Sequence, residues 1–225
     1  MKTSLKAVVF DAYGTLFDVY SIAMQAERLR PGKGAAMAAL LREKQIDYTR
    51  LRTMCNRYVD FWQCTADALS FVDQQLQLGL LPEERSSLMQ AYATLPPFAD
   101  AAPVLGRLKT MGLPLAILSN GTPQMLKEVV QAAGLSEFFD ALLSVDTVRQ
   151  FKTADAAYAL GPQWAGVAAE NMVFVSSNGW DAACATWYGY RTFWVNRARA
   201  ATEVLVDPHG IGHGLSDLIP WIEAK

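Results

Sequence analysis

Four short apolar runs, Ala7–Phe10, Leu115–Leu118, Ala141–Val145 and Met172–Val175, with a fifth at Thr192–Val195, limit what this chain can fold into. Each has the length and β-branched content of a buried strand. Most lead through small or polar residues into a helical pattern, Pro123–Ala133 after the second run and Asp181–Tyr188 after the fourth. Strand, short loop and helix in repetition predict an α/β fold, a Rossmann-like parallel sheet core with helices on both faces. Ligands of such sheets bind beyond the carboxyl ends of the strands, so candidate residues are sought there.

Between about Val19 and Leu95 the strand pattern lapses. Only amphipathic helical segments occur, at Ala35–Lys44, Tyr48–Phe61, Ala66–Leu78 and Glu83–Tyr92, punctuated by Gly32–Gly34 and Leu81–Pro82 and closed by Pro96–Pro97. The expected organisation is a Rossmann-like core of residues 1–17 and 98–225 with an inserted helical cap subdomain, residues 18–97, overhanging the end of the first strand. A chain of 225 residues is long enough for one core and such an insert.

Charge and cysteine usage narrow the function classes. The 20 Lys and Arg are scattered among 22 Asp and Glu, without the basic stripe of a nucleic-acid binder. The apolar run nearest the N-terminus is too short for a signal peptide or a membrane span. Neither nucleic acid nor a membrane is therefore expected as a partner. Cys55, Cys64 and Cys184 are odd in number and form no CxxC pair, which points to reduced thiols in a cytoplasm. His209 and His213 have a metal-ligand spacing, but the glycines around them disfavour the helix that would bring both rings to one ion. No metal or other cofactor is expected, and no convincing histidine remains for a Ser-His-Asp or Cys-His site.

The strand ends carry the chemistry. The first run enters Phe10-Asp11-Ala12-Tyr13-Gly14-Thr15-Leu16, and later runs end in Ser119-Asn120-Gly121, in a loop leading to Lys152, and in Ser176-Ser177-Asn178-Gly179-Trp180-Asp181. A lone Asp there could simply cap a turn. Four strand ends delivering polar groups to one edge are hard to explain by capping.

The spacing of Asp11, Ser119, Lys152 and Asp181 resembles the haloacid dehalogenase superfamily, which also includes many phosphatases. Fuller strings are similar to its L-2-haloacid dehalogenase branch: Phe10 to Asp18, Leu41-Arg-Glu-Lys-Gln45 with Tyr48-Thr49, Leu118 to Gly121, Ser144-Val-Asp-Thr-Val-Arg149 and Ser176 to Asp181. Two positions separate that branch from the phosphatases. Superfamily phosphatases carry a second Asp two residues after the nucleophile, where this chain has Tyr13; loss of such a general acid costs an alkoxide leaving group roughly 10²–10⁴-fold, whereas halide needs no proton. Their fourth loop supplies paired acids for magnesium, while Asn178, Gly179 and Trp180 here precede a single Asp181.

The resemblance implies a metal-free hydrolysis of short 2-haloalkanoic acids through an ester on Asp11. Lys152 would keep Asp11 ionised, since a nearby cation favours the charged carboxylate. Thr15 would steady the nucleophile loop, while Asn178 and Asp181, with Ser176 in support, would position Lys152 and the hydrolytic water. Arg42 and Asn120 would cradle the halide, and Ser119 with the backbone after Asp11, at Ala12, would bind the substrate carboxylate. Tyr13, Ile46, Phe61 and Trp180 would wall the pocket, and Tyr158 matches an active-site tyrosine. Alone, Arg42 would read as a solvated helix residue, Tyr158 as core, and Ile46 and Phe61 as plain packing. Thr153 stands where relatives often carry Pro. Relatives pair through their helical regions, so a homodimer is implied. A magnesium-dependent phosphatase and a non-catalytic binding member remain the competing readings.

Overall fold

The computed structural model describes residues 5–224, so the outermost ends of the expected core, residues 1–4 and 225, lie outside it. Six strands form one parallel sheet: β1 (Ala7–Phe10), β2 (Leu115–Ser119), β3 (Ala141–Ser144), β4 (Met172–Ser176), β5 (Arg191–Val195) and β6 (Gly210–Gly212), in the order β3-β2-β1-β4-β5-β6. β1 is central, with Val8 opposite Leu115 of β2 and Val173 of β4. Strand order reverses at β1, and the crevice at such a switch point lies beyond the strand ends. Every residue of β1, β2 and β4 is buried, so both faces of the sheet centre are covered. β3, read from sequence as buried, is instead an edge strand whose Leu142 is 36 % exposed.

The sixth strand has no apolar run to announce it. Gly210 and Gly212 supply no Cβ, and a Cβ at Gly210 would stand 2.4 Å from Nε1 of Trp221 and 2.8 Å from Phe193. Close approach to those rings requires glycine, which removes the side-chain signal by which strands are recognised. His209 and His213 flank this strand without sharing a metal: Nδ1 of His209 lies at Thr192 and Nδ1 of His213 3.3 Å from the Asn196 carbonyl.

Residues between β1 and β2 begin with α1 (Ile22–Leu29), α2 (Gly34–Met54), α3 (Phe61–Leu76) and α4 (Pro82–Gln90). α2 runs unbroken through the gap expected after Lys44, because Gln45-Ile46-Asp47 holds no helix breaker. The break falls at residues 55–60. Asn56 there has a positive φ of 53°, and Asp60 caps α3 by accepting the Gln63 amide at 2.8 Å. The chain leaves and re-enters the sheet side by side: Phe17 bridges Pro97, the Asp18 amide donates to the Pro96 carbonyl at 2.9 Å, and the Phe98 amide to the Leu16 carbonyl at 2.9 Å. Then follow α5 (Ala101–Thr110), α6 (Pro123–Ala132), α7 (Asp155–Tyr158), α8 (Leu160–Ala165), α9 (Gly179–Tyr188) and α10 (Leu218–Glu223). α9 packs on β4 and β5, and α5 on β2. No helix among the described residues is long and apolar enough to cross a membrane.

Candidate active site

Asp11 is the first residue past β1, and its amide still pairs with the Val175 carbonyl at 2.9 Å. The chain then turns back sharply. The Ala12 carbonyl accepts the amides of Thr15, Leu16 and Phe17, and Gly14 takes a φ of +91° that a side chain would strain. This turn places Thr15 beneath Asp11. Oγ1 of Thr15 donates to Oδ2 of Asp11 at 2.9 Å, as does Nδ2 of Asn178, also at 2.9 Å; Oγ of Ser176 stands 3.5 Å away. Oδ1 of Asp11 meets Nζ of Lys152 at 3.1 Å.

Lys152 is 1 % exposed and spans two carboxylates, with Nζ also 3.0 Å from Oδ2 of Asp181. Burial alone would lower the pKa of this ammonium, but Asp11 and Asp181 outweigh it and raise the value. Asp181, completely buried, has its own pKa raised by burial against the pull of Lys152. Its Oδ1 accepts the Tyr158 hydroxyl at 2.7 Å, and the Tyr190 hydroxyl fixes Tyr158 through its carbonyl at 2.7 Å. Both oxygens of Asp181 are thus engaged. The turn at Lys152 closes with Thr153 in place of Pro, through a 3.0 Å bond from the Ala154 amide to the Phe151 carbonyl.

The remaining loops complete a small, partly open cavity lined by Asp11, Tyr13, Arg42, Ile46, Phe61, Ser119, Asn120, Lys152, Asn178 and Trp180. Ten of the residues singled out from the sequence therefore meet around one space. Thr15, Ser176, Asp181 and Tyr158 stand behind it, and Ala12 does not line it. Arg42 reaches over from α2 and donates through Nη2 to the Tyr13 carbonyl at 3.1 Å and to Oδ1 of Asn178 at 3.2 Å. Asn120 accepts the Lys152 amide on Oδ1 at 2.9 Å, so its Nδ2 is the donor it can offer elsewhere. Oγ of Ser119 accepts the Gly121 amide at 3.1 Å. The Tyr13 ring stacks on Phe61, and its hydroxyl is buried with no hydrogen-bond partner among the described residues; burial raises its pKa far above the ordinary value.

Several contacts were not foreseen. Ser177 donates its amide to Oγ1 of Thr15 at 2.8 Å, orienting that hydroxyl. Arg50 lies 5.0 Å over the Trp180 ring, one helical repeat beyond Ile46 and Arg42 on α2. Phe151 packs between Tyr58 and Phe61. Their sequence signals were adjacency to a chosen residue or an i, i+4 spacing from one, and neither is distinctive.

The family model of haloacid dehalogenase-like hydrolases matches residues 5–189, and this chain belongs to that hydrolase family. It is 47 % identical over 193 residues to the (S)-2-haloacid dehalogenase of Pseudomonas sp. (strain YL), covering 86 % of this chain and 83 % of that one. Among solved structures, an L-2-haloacid dehalogenase superposes with a TM-score of 0.96 at 52 % identity, over 98 % of this chain and 99 % of the other. The L-2-haloacid dehalogenase of Xanthobacter autotrophicus with chloropropionic acid covalently bound superposes with a TM-score of 0.91 at 37 % identity, over 97 % and 98 %.

Proposed function

We propose that this hydrolase displaces halide from short-chain (S)-2-haloalkanoic acids and yields (R)-2-hydroxyacids, with Asp11 as the nucleophile. One observation carries the reading: a carboxylate at the wall of a small cavity, ionically paired to buried Lys152, with Tyr13 where a phosphatase needs its acid. An oxygen of Asp11 attacks C2 opposite the halogen; the C–X pair leaves with the halide and an ester forms. Arg42 and Asn120 receive the anion, and Ser119 holds the substrate carboxylate. Water then adds to the ester carbonyl, the C2–O bond stays intact, and the ester oxygen leaves as the hydroxyl of the product. The net proton of hydrolysis goes to solvent. Asn178, Asp181 and Ser176 position Lys152 and that water, while Tyr158 braces Asp181. The apolar wall of Tyr13, Ile46, Phe61 and Trp180 limits water at Asp11 and the alkyl group that fits.

The metal-free half is supported by the donor set. Both oxygens of Asp181 are committed to Lys152 and Tyr158, and no cluster of three His, Cys, Asp or Glu able to hold a metal occurs among the described residues. Residues 18–97 act as a cap over the β1 end, delivering Arg42, Ile46 and Phe61 to the cavity. A homodimer through the cap would use the α2–α3 groove, where Tyr48, Leu51 and Phe71 lie beside the polar Arg52, Asp67, Ser70 and Gln74; light scattering at twice the chain mass would bear this out, and a monomer would refute it. Three unpaired cysteines fit a reducing cytoplasm, which cell fractionation tests.

The deciding experiment measures halide release from L- and D-2-chloropropionate with a chelator present, beside phosphate release from p-nitrophenyl phosphate with magnesium. Chelator-insensitive chloride from the L-isomer, lost by more than about 10⁴-fold in Asp11→Asn, is expected. Magnesium-dependent phosphate release without chloride would sink the reading, and silence in both assays would favour a binding protein.

A further inference from the structure

The loop Ser144 to Arg149 follows β3, and the proposed chemistry uses none of it. Oγ of Ser144 donates to the Gly121 carbonyl at 2.7 Å and accepts the Asp146 amide at 3.2 Å. That turn aims Asp146 at the α2–α3 linker, where the Tyr58 hydroxyl donates to its Oδ1. Arg149, at a φ of +52°, lays its guanidinium 5.1 Å from the centroid of the same Tyr58 ring. Tyr58 also neighbours Phe151, at 5.0 Å between centroids. Phe151 immediately precedes Lys152, donates its amide to Oγ1 of Thr53 at 3.1 Å, and meets the cavity residue Phe61 at 6.4 Å.

We propose that Tyr58 and Asp146 are positioning residues: their hydrogen bond clamps the cap linker onto the Phe151–Lys152 turn and so sets where Nζ of Lys152 and the Phe61 ring stand relative to Asp11. The inference rests on the dehalogenase reading of Asp11 and Lys152. Nζ bridges two carboxylates at 3.1 and 3.0 Å, both at hydrogen-bond length, so little displacement is tolerated. Asn120 fixes the lysine backbone from the core side, and Thr53 with Tyr58 fixes its predecessor from the cap side. Misplacement by about 1 Å at such a site costs on the order of 10²-fold.

The test compares wild type with Tyr58→Phe, Asp146→Ala and Asp146→Asn in melting temperature and in the pH dependence of kcat and KM for L-2-chloropropionate. The charged and titratable groups facing Lys152 are Asp11 from the β1 end and Asp181 from α9, with Tyr158 of α7 behind Asp181. Tyr58→Phe keeps the ring contacts to Phe151 and Arg149 and loses only the hydroxyl, so it folds. In it and in Asp146→Ala, kcat should fall about 10- to 100-fold with a smaller change in KM. Their alkaline limb should move to lower pH, since looser carboxylate contacts support the ammonium less while burial still opposes its charge. Asp146→Asn keeps an acceptor for Tyr58 and should retain the wild-type limb, with kcat within about threefold. Wild-type kcat and alkaline limb in Tyr58→Phe and Asp146→Ala, with only melting temperature reduced, would make the clamp purely structural and overturn the proposal. So would an Asp146→Asn as impaired as Asp146→Ala. A wild-type enzyme that releases no halide would instead fail the underlying reading, and this inference with it.

Discussion

The two oxygens of Asp11 are held unequally. Oδ2 is ringed by Thr15, Asn178 and, at longer range, Ser176, whereas Oδ1 meets Lys152. The carboxylate is therefore held in one orientation while its charge is balanced by a cation it shares with Asp181. Removing one member of such a buried set leaves the others uncompensated, which is far costlier than the set itself is stabilising. Tyr13 is the opposite case. Its ring walls the cavity, yet its buried hydroxyl has no partner among the described residues and gains no hydrogen-bond energy from them. Tyr13→Phe is expected to keep kcat/KM near wild type and to leave stability equal or higher by up to about 1 kcal/mol, since an unmade buried hydrogen bond is removed. Thermal melting and steady-state kinetics check this; a tenfold loss of kcat/KM would mean that the hydroxyl touches substrate.

At the scale of elements, β1, β2 and β4 contribute buried apolar residues along their length and polar side chains where they stop. α2 reaches the same cavity differently, through Arg42 and Ile46 on one face of an uninterrupted 21-residue helix. The start of α3 matters as much, because Phe61 is its first residue and another wall of the cavity. Asp60 defines that start by capping the Gln63 amide. Asp60→Ala should cost about 1 kcal/mol of stability in urea unfolding, the usual loss of a helix N-cap. An unchanged unfolding midpoint would show that water satisfies the freed amide equally well.

For the molecule as a whole, an ion pair at Asp100 helps tie the chain's late segments back to its middle. Asp100, at the start of α5, accepts Nη1 and Nη2 of Arg197 at 2.9 and 2.8 Å and the Leu215 amide at 2.8 Å. Burial works against this carboxylate, but Arg197 and the amide prevail and hold its pKa below the ordinary 3.8. A depressed folded-state pKa contributes stability that is complete above the unfolded value and is lost as pH falls through the folded one. The stability gap between wild type and Asp100→Asn should therefore be widest near neutrality and close below about pH 3.8, as urea titrations at successive pH values would show. A gap independent of pH would refute the assignment.

Much of this was legible in one dimension. Buried strands need unbroken apolar runs, so β1, β2 and β4 were plain, and polar residues placed where those runs stop gave Asp11, Ser119, Asn120, Lys152, Asn178 and Asp181. Tyr13 and the single acid of the fourth loop separated carbon–halogen chemistry from phosphate chemistry at the same stage. β6 escaped because packing against Trp221 and Phe193 demands glycine, which carries no hydrophobic signal. The α2–α3 break escaped because amphipathic periodicity continues through it and only Asn56 and the Asp60 cap stop the helix. Tertiary structure alone decided which oxygen of Asp11 meets Lys152, that Arg42 bonds Asn178, and that Tyr58 reaches Asp146. Local pattern follows from each residue's own preference for burial or water, whereas those pairings join residues 88 to 141 positions apart, and only the packed chain brings them within hydrogen-bond length.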